Sequence, residues 1–187
     1  MNLLQIDNIS KSFGEKLLFQ NLSLGIEKGD KVGLIARNGI GKSTLMQIIA
    51  GKQPADEGTV TFRNGITVGY LEQEPLMNDS ASVIQQVFQW DNPVIKLILE
   101  YEKAVLHDNK DRVGELIHKL DAANAWNYEV KIKQILTKLK INDLDFEVGK
   151  MSGGQKKRLA LAAVMILEPD LYLLDEPTNH LDLGMIE

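Results

Sequence analysis

Runs of apolar residues of strand length dominate the first third of the chain, and turn-forming residues separate them. Gly14 and the triplet Lys28-Gly29-Asp30 are the first such breaks. Helical periodicity follows Lys42 and ends at Gly51. The pattern predicts an antiparallel opening followed by core strands, with strands at residues 3–6, 17–26, 31–35, 59–62 and 66–71.

After Pro75 the apolar spacing changes to that of helices. A first helix is expected at 82–90, and Asn92-Pro93 supplies an N-cap and a proline for the first position of the next one. Apolar residues then recur on one helical face over 93–107, 111–123 and 132–139. These stripes predict the core of a helical subdomain rather than a cofactor-binding surface.

A glycine-rich segment lies between the apolar run 32–35 and the helix that follows. A strand, a glycine loop and a helix N-terminus together form an anion nest of backbone N–H groups, to which the helix adds about half a positive charge. The segment predicts a site for nucleotide phosphates, with Lys42 as point charge and Ser43 as a Mg²⁺ ligand. A loop that matches by chance is the alternative. The segment comprises Ala36, Arg37, Asn38, Gly39, Ile40, Gly41, Lys42, Ser43 and Thr44.

The first position of this segment is alanine, where the common pattern has glycine. An alanine with positive φ would be strained, so we expect Ala36 to end the strand with a negative φ. Gly39 and Gly41 remain free to adopt conformations that a side chain would block.

A second apolar run, residues 171–174, ends in Asp175 and Glu176. Four consecutive apolar residues predict a short strand that is buried on both faces. A carboxylate at its end suits Mg²⁺ beside bound phosphates, which is the role expected of Asp175. Glu176 is then placed to polarise the attacking water. The alternative is the solvated start of a helix.

The residues Ser152, Gly153, Gly154 and Gln155 predict another anion-binding helix start. Ser152 is a natural N-cap, and the two glycines leave the first amides bare. One nucleotide does not need two phosphate cradles from one subunit, so this helix end is expected to serve a nucleotide bound by another domain. An ordinary capped helix is the alternative, but the basic residues 156–158 oppose the helix dipole.

Taken in order, these segments resemble an ABC-type ATPase domain. The motifs are 36–44 as Walker A, Gln73 as the Q-loop, 151–155 as the signature, 171–176 as Walker B and Leu181-Asp182 as the D-loop. The resemblance implies an α/β P-loop NTPase fold with an antiparallel β subdomain, a mostly parallel core sheet and a helical subdomain. Its expected segments are 1–75, 76–150 with a short helical arm at about 91–123, and 151–187.

The resemblance also implies a role for single residues and names ATP and Mg²⁺ as the cofactors. Phe13 resembles the aromatic residue that stacks on adenine. Gln73 resembles the residue that touches Mg²⁺ and senses the γ-phosphate, and Asp182 the one that contacts the opposing Walker A.

The stretch 176–182, Glu-Pro-Thr-Asn-His-Leu-Asp, resembles the ABC-F branch and looks most like the N-terminal domain of its Uup-like members. That resemblance implies a second ABC ATPase domain as partner and an action on the ribosome and tRNA in translation. His180 is interpreted as a loop contact, because a single histidine without partner ligands does not make a metal site. The ATP-binding subunit of an ABC membrane transporter and a nucleotide-gated module that does not hydrolyse ATP are the alternatives.

Composition limits these possibilities further. The 187 residues are 44% hydrophobic and include no cysteine, which suits one globular domain in the cytoplasm without disulfides. No apolar run reaches the length of a membrane span. The net charge of −5 means that any contact with RNA needs a local basic patch. The histidine that follows the D-loop in the family has no counterpart, so we expect weak or no hydrolysis from this chain alone.

Overall fold

The computed structural model describes residues 1–88, 93–123 and 125–177. Its contacts divide the chain into two compact units. The first unit contains residues 1–73 and 168–177, and the second contains, among the described residues, 74–167. The first unit combines strands with a helix and the second is helical, and each has its own apolar core.

An antiparallel sheet opens the first unit. Strands β1 (Asn2–Phe13) and β2 (Lys16–Glu27) form a hairpin around Gly14-Glu15, and β3 (Glu57–Phe62) pairs with the other edge of β1. The order is therefore β2-β1-β3. The expected turns at Gly14 and Lys28-Gly29 are confirmed, and both glycines have positive φ.

A parallel pair completes the strands of this unit. It consists of β4 (Val68–Leu71) and β5 (Leu171–Leu174), with Val68 opposite Leu171 and Leu71 opposite Leu174. Helix α1 (Lys42–Ile49) packs with both sheets in one core. The buried residues of that core are Leu4, Ile6, Ile9, Leu45, Ile48, Ile49, Leu171 and Leu173.

Two strand predictions were wrong. Residues 31–35 form no strand, and Ile35 is 96% exposed. An apolar run becomes a strand only where a neighbour takes its N–H and C=O groups, and no described strand pairs with this one. The second error concerns β5, which is not buried on both faces. Leu171 and Leu173 are buried, whereas Tyr172 is 44% exposed, so β5 alternates like a strand with one covered face.

Helices build the second unit, as the periodicity predicted. They are α2 (Val83–Phe88), α3 (Pro93–Leu106), α4 (Lys110–Ala122), α5 (Trp126–Lys138) and α6 (Gly153–Leu167). Pro93 opens α3 as expected, while the predicted N-cap Asn92 lies outside the described residues. Within the described part of the chain, none of the helices has the length and apolar character that crossing a membrane requires.

Candidate nucleotide site

The glycine loop between residues 36 and 42 adopts the left-handed conformations that its glycines allow. Gly39 has φ +76° and Gly41 has φ +103°. A Cβ on Gly41 would also approach the Leu18 side chain of β2 to 3.1 Å, so this position is restricted by space as well as by conformation. The φ of Ala36 is not positive, as expected, although no strand ends there.

The backbone amides of this loop are available to a ligand. Among the described residues, the N–H groups of Gly39 through Thr44 have no hydrogen-bond acceptor. The first helical bond runs from the Leu45 N–H to the Gly41 carbonyl at 2.8 Å. Six successive free amides at the start of α1 form the donor set that a phosphate group requires.

Two lysines donate to the carbonyl side of the same loop. Lys42 Nζ donates to the carbonyl oxygens of Ala36 at 2.9 Å and Arg37 at 3.2 Å, and to Asn38 Oδ1 at 3.3 Å. Lys16 Nζ donates to the Gly39 carbonyl at 3.1 Å. The loop carbonyls thus hold both ammonium groups beside the segment whose amides are free.

The β1–β2 hairpin positions an aromatic ring next to this lysine. Phe13 and Lys16 are directly opposed across the two-residue turn. The Phe13 side chain is 55% exposed, and Lys11 Nζ lies 5.8 Å from its ring centroid. Motif analysis did not identify Lys16, although the turn at Gly14 was a signal that it would face Phe13.

The predicted carboxylates meet the loop at the carboxyl edge of the parallel strands. β4 and β5 run in the same direction, so Gln73, Asp175 and Glu176 all follow strand ends at one edge. Ser43 Oγ donates to Gln73 Oε1 at 3.4 Å, and Gln73 Nε2 donates to Glu176 Oε2 at 3.4 Å. Glu176 has φ +49°, an uncommon conformation for a residue with a side chain.

Asp175 is the buried acid of this edge. It is 5% exposed, and within the described ranges its Oδ2 atom has no hydrogen-bond partner. A buried carboxylate oxygen without a partner is costly unless a cation occupies the space beside it. Together with the Ser43 hydroxyl and the Gln73 amide oxygen it offers the oxygen ligands that Mg²⁺ prefers. The residues present therefore fit a magnesium ion.

Tyr70 and Lys52 interact with acidic residues near this edge, and sequence motifs did not indicate either of them. Burial, then the charge of Asp175, then that of Glu72, raises the pKa of Tyr70 to about 12. Lys52 forms an ion pair with Glu72, and its Nζ lies 5.4 Å from the Tyr70 ring centroid. Since Glu72 precedes Gln73, this pair restrains the backbone that carries the glutamine. No short motif marks such a pair.

In the second unit, the segment Ser152–Gln155 forms the predicted helix start. The Gln155 N–H donates to Ser152 Oγ at 3.3 Å, and the Ser152 N–H donates to Gln155 Oε1 at 2.8 Å. This is a reciprocal capping box. The N–H groups of Gly153 and Gly154 have no acceptor among the described residues. The ion pair of Lys156 with Asp79, at 2.6 Å, offsets the unfavourable charge in the first turn. Asp182 and His180 lie outside the described residues.

Relatives of known sequence match all or nearly all of this chain. An uncharacterized ABC transporter ATP-binding protein of Bacillus subtilis, YfmR, is 40% identical over 100% of the chain and 31% of its own length. The energy-dependent translational throttle protein EttA of Mycobacterium tuberculosis is 34% identical over 96% of the chain and 33% of its own length. ATP-binding protein Uup of Haemophilus influenzae is 34% identical over 100% of the chain and 30% of its own length. The chain thus spans about a third of the length of these relatives.

Solved structures and a family model agree with these relatives. The ATP-binding subunit of an ABC transporter superposes with a TM-score of 0.70 at 22% identity, over 98% of this chain and 70% of that one. This likeness confirms the expected P-loop NTPase fold. The family model described as ABC transporter matches residues 19–179, from the first hairpin past the Asp175-Glu176 edge. The chain therefore belongs to the ABC transporter family and is one of its ATP-binding domains.

Proposed function

We propose that this protein binds and hydrolyses ATP, and that it uses the closure of two ATP-binding domains to act on the ribosome during translation. The observation that carries the hydrolytic part is the hydrogen-bonded series from Ser43 through Gln73 to Glu176. It joins the start of the phosphate-binding helix to the acid at the end of β5. The partly buried edge also holds Asp175, whose free oxygen is suited to a cation.

Binding begins at the loop, where the free amides of residues 39–44 donate hydrogen bonds to the phosphate oxygens. Lys42 exchanges its carbonyl partners for the β- and γ-phosphates, which compete well for an ammonium group because they are charged. Phe13 is exposed at the end of the hairpin and packs against the base. Arg37, Asn38 and Ile40 complete the loop backbone around the phosphates.

Hydrolysis takes place at the carboxyl edge of the parallel strands. Ser43, Gln73 and Asp175 would hold Mg²⁺, which neutralises charge on the phosphates. Glu176 orients and polarises a water for in-line attack on the γ-phosphate. Gln73 positions Glu176 through its 3.4 Å hydrogen bond and so joins the metal side of the site to the water side.

A second ABC ATPase domain is the proposed partner with which this domain closes on ATP. Ser152, Gly153, Gly154 and Gln155 present free amides to the γ-phosphate of ATP bound by that domain, and Asp182 contacts its Walker A loop. The placement in translation rests on the 34% identity with the translational throttle protein and with Uup, together with the stretch at 176–182. The ribosome with its tRNA is the proposed partner, and the cytoplasm the proposed location.

Two substitutions in the full-length protein test this proposal. Lys42→Ala should weaken ATP binding by at least about 100-fold, because it removes a charged hydrogen-bonding group from a nest built for phosphate. Titration calorimetry measures the affinity, and Lys138→Ala, an exposed lysine of α5, is the control. Affinity equal to that of the unmodified protein would refute the site.

Glu176→Gln should retain ATP binding and lower kcat by about 100-fold, because the amide cannot polarise water as the carboxylate does. In the presence of ATP this variant should co-sediment with ribosomes more strongly than the unmodified protein. Turnover equal to that of the unmodified protein would exclude Glu176 as the carboxylate that polarises the attacking water.

The ATP-binding subunit of a membrane transporter is the competing function, and the description of the family model supports it. Retention on ribosomes that is independent of ATP and of Glu176→Gln would count against the translational role. Co-purification with a membrane protein would identify the transporter role.

A further inference from the structure

A second charged groove lies in the first unit, at the amino ends of β4 and β5. It has a volume of about 420 Å³ and is separate from the carboxyl edge where Asp175 and Glu176 lie. Its lining includes Leu3, Lys28, Arg63, Ile66, Pro169 and Asp170. None of these residues has a role in the proposed ATP site, so the groove requires its own explanation.

Two cations enter the groove from different backbone segments. The Lys28 N–H donates to the Met1 carbonyl at 2.9 Å, and the Arg63 N–H donates to the Leu3 carbonyl at 3.0 Å. These bonds anchor Arg63 to β1 and Lys28 to Met1, the residue that precedes β1. Among the described residues, neither the Lys28 ammonium nor the Arg63 guanidinium forms an ion pair or a hydrogen bond with a side chain. Both charges are therefore available to a ligand.

The Asp170 carboxylate, which also lines the groove, is already held by protein donors. Asp170 Oδ2 accepts hydrogen bonds from the Thr67 N–H at 2.9 Å and from Thr67 Oγ1 at 3.0 Å. The Thr67 bonds, together with the weaker effect of the Lys28 charge, lower the pKa of Asp170, so it stays ionised at neutral pH. Two cations and one carboxylate give the groove a net charge of +1. The Met1 ammonium does not add to this charge, because it is paired with Glu27 at 2.8 Å.

We propose that this groove binds a singly charged phosphodiester of single-stranded RNA. A tetrahedral phosphate can accept hydrogen bonds from a lysine and an arginine that approach from two directions. A planar carboxylate needs only one arginine, whose two parallel N–H groups match its two oxygens. A phosphodiester carries one negative charge and matches the groove. Free nucleotides carry more charge, and the fixed Asp170 carboxylate repels it.

The apolar part of the lining suits the same ligand. Leu3 and Pro169 are buried and Ile66 is half-buried, so together they form a wall for the ribose next to the phosphate. A lipid headgroup would present its phosphodiester on a flat bilayer, and a recessed site with two cations is poorly matched to that surface. The groove also supplies the local basic contact that a chain of net charge −5 needs in order to approach RNA.

The inference rests on the proposed function only for the ribosome as the source of RNA, and its test needs no ATP. The test uses the full-length protein carrying Lys42→Ala, so that phosphate binding at the glycine loop is weakened in every variant compared. The double variant Lys28→Gln with Arg63→Gln is compared with the double variant Lys119→Gln with Lys138→Gln. The latter removes the same charge from exposed positions in α4 and α5.

Fluorescence anisotropy with a short labelled oligouridylate measures the affinity over a range of salt concentrations. The groove variant should bind about tenfold more weakly, and its slope of log affinity against log salt should fall by about 0.7, the value for one phosphate contact on a single strand. The surface variant should keep both values within twofold of the parent. Equal loss in both variants, or no loss in the groove variant, would overturn the proposal.

Two further measurements address the other ligands. Vesicles of anionic phospholipid should not compete with the oligonucleotide, and competition that Lys28→Gln with Arg63→Gln abolishes would assign the groove to a membrane instead. In an NMR titration with dimethyl phosphate, a singly charged phosphodiester, the Arg63 Nε resonance should shift before those of other arginines. Its failure to shift would contradict the assignment, even if the variants proved poorly folded.

Discussion

The side-chain amide of Gln73 donates from Nε2 to Oε2 of Glu176 at 3.4 Å, across the carboxyl edge of the parallel strands. The Oε1 atom of the same glutamine accepts a hydrogen bond from Ser43 Oγ. Gln73 is therefore the contact through which a change at the phosphate loop reaches the acid proposed to activate water. The proposed role of Gln73 is one of positioning, since Glu176 is the residue proposed to polarise the water.

Gln73→Ala should lower kcat by about 10- to 100-fold and change the Kd for ATP by less than about threefold. The physical reason is that Glu176 loses its orientation while the amides of residues 39–44 still bind the phosphates. Steady-state kinetics and calorimetry on the full-length protein separate the two effects. Gln20→Ala, an exposed glutamine of β2, is the matched control. A loss of ATP affinity with kcat unchanged would argue that Gln73 contributes to ATP binding and does not position Glu176.

Lys16→Ala should weaken ATP binding by about three- to tenfold, because a cation that now rests on the Gly39 carbonyl leaves the loop. Lys16→Arg should restore most of the affinity, since the charge returns even though the group is larger. AMP affinity should change little, because Lys16 lies at the loop and not at the base. Calorimetry with both nucleotides measures this. An equal effect on ATP and AMP would place Lys16 at the base instead.

The pKa of Tyr70, raised to about 12 by burial and by the charges of Asp175 and Glu72, gives a pH prediction. An ordinary tyrosine ionises near about pH 10. The folded state therefore retains the Tyr70 proton between about pH 10 and 12, where the unfolded state releases it. In this window the free energy of unfolding falls as pH rises, and below it the contribution is constant.

Ultraviolet titration of phenolate absorbance measures that ionisation. At about pH 11, the unmodified protein and the variant Tyr70→Phe should show the same phenolate signal, because Tyr70 is still protonated. Asp175→Asn should bring the ionisation of Tyr70 to a lower pH by removing one of the charges that oppose it. A drop with Tyr70→Phe would show that Tyr70 titrates normally.

The candidate site was largely predictable because its residues follow from local rules. A glycine loop before a helix and acids after an apolar strand converge when the strands are parallel, and the structure brings Ser43, Gln73 and Glu176 together. The positive φ of Gly41 could be expected from the same loop pattern. The sequence also indicated the cap at Ser152, since Ser-x-x-Gln is a capping box.

Contacts between segments distant in the chain could not be predicted in this way. The Lys16 ammonium reaches Gly39 across 23 positions, and Lys52 reaches Glu72 across 20. Neither pairing leaves a periodic trace. The strand predicted at 31–35 failed for a related reason, since apolar content reports a tendency to be buried but not whether a partner strand is present. The same limit explains Tyr172, whose exposure depends on what covers β5.

The exposure of Ile35 leads to a stability prediction that tests this difference directly. Ile35→Ala should change the free energy of unfolding of the nucleotide-free protein by less than about 0.5 kcal/mol, because its side chain is 96% exposed. Leu173→Ala, in the apolar run 171–174 and 4% exposed, should cost about 2 to 5 kcal/mol through lost burial and a cavity. Urea unfolding followed by circular dichroism measures both. A cost above about 2 kcal/mol for Ile35→Ala would mean that residues 31–35 pack into the core as a strand, as their apolar character first indicated.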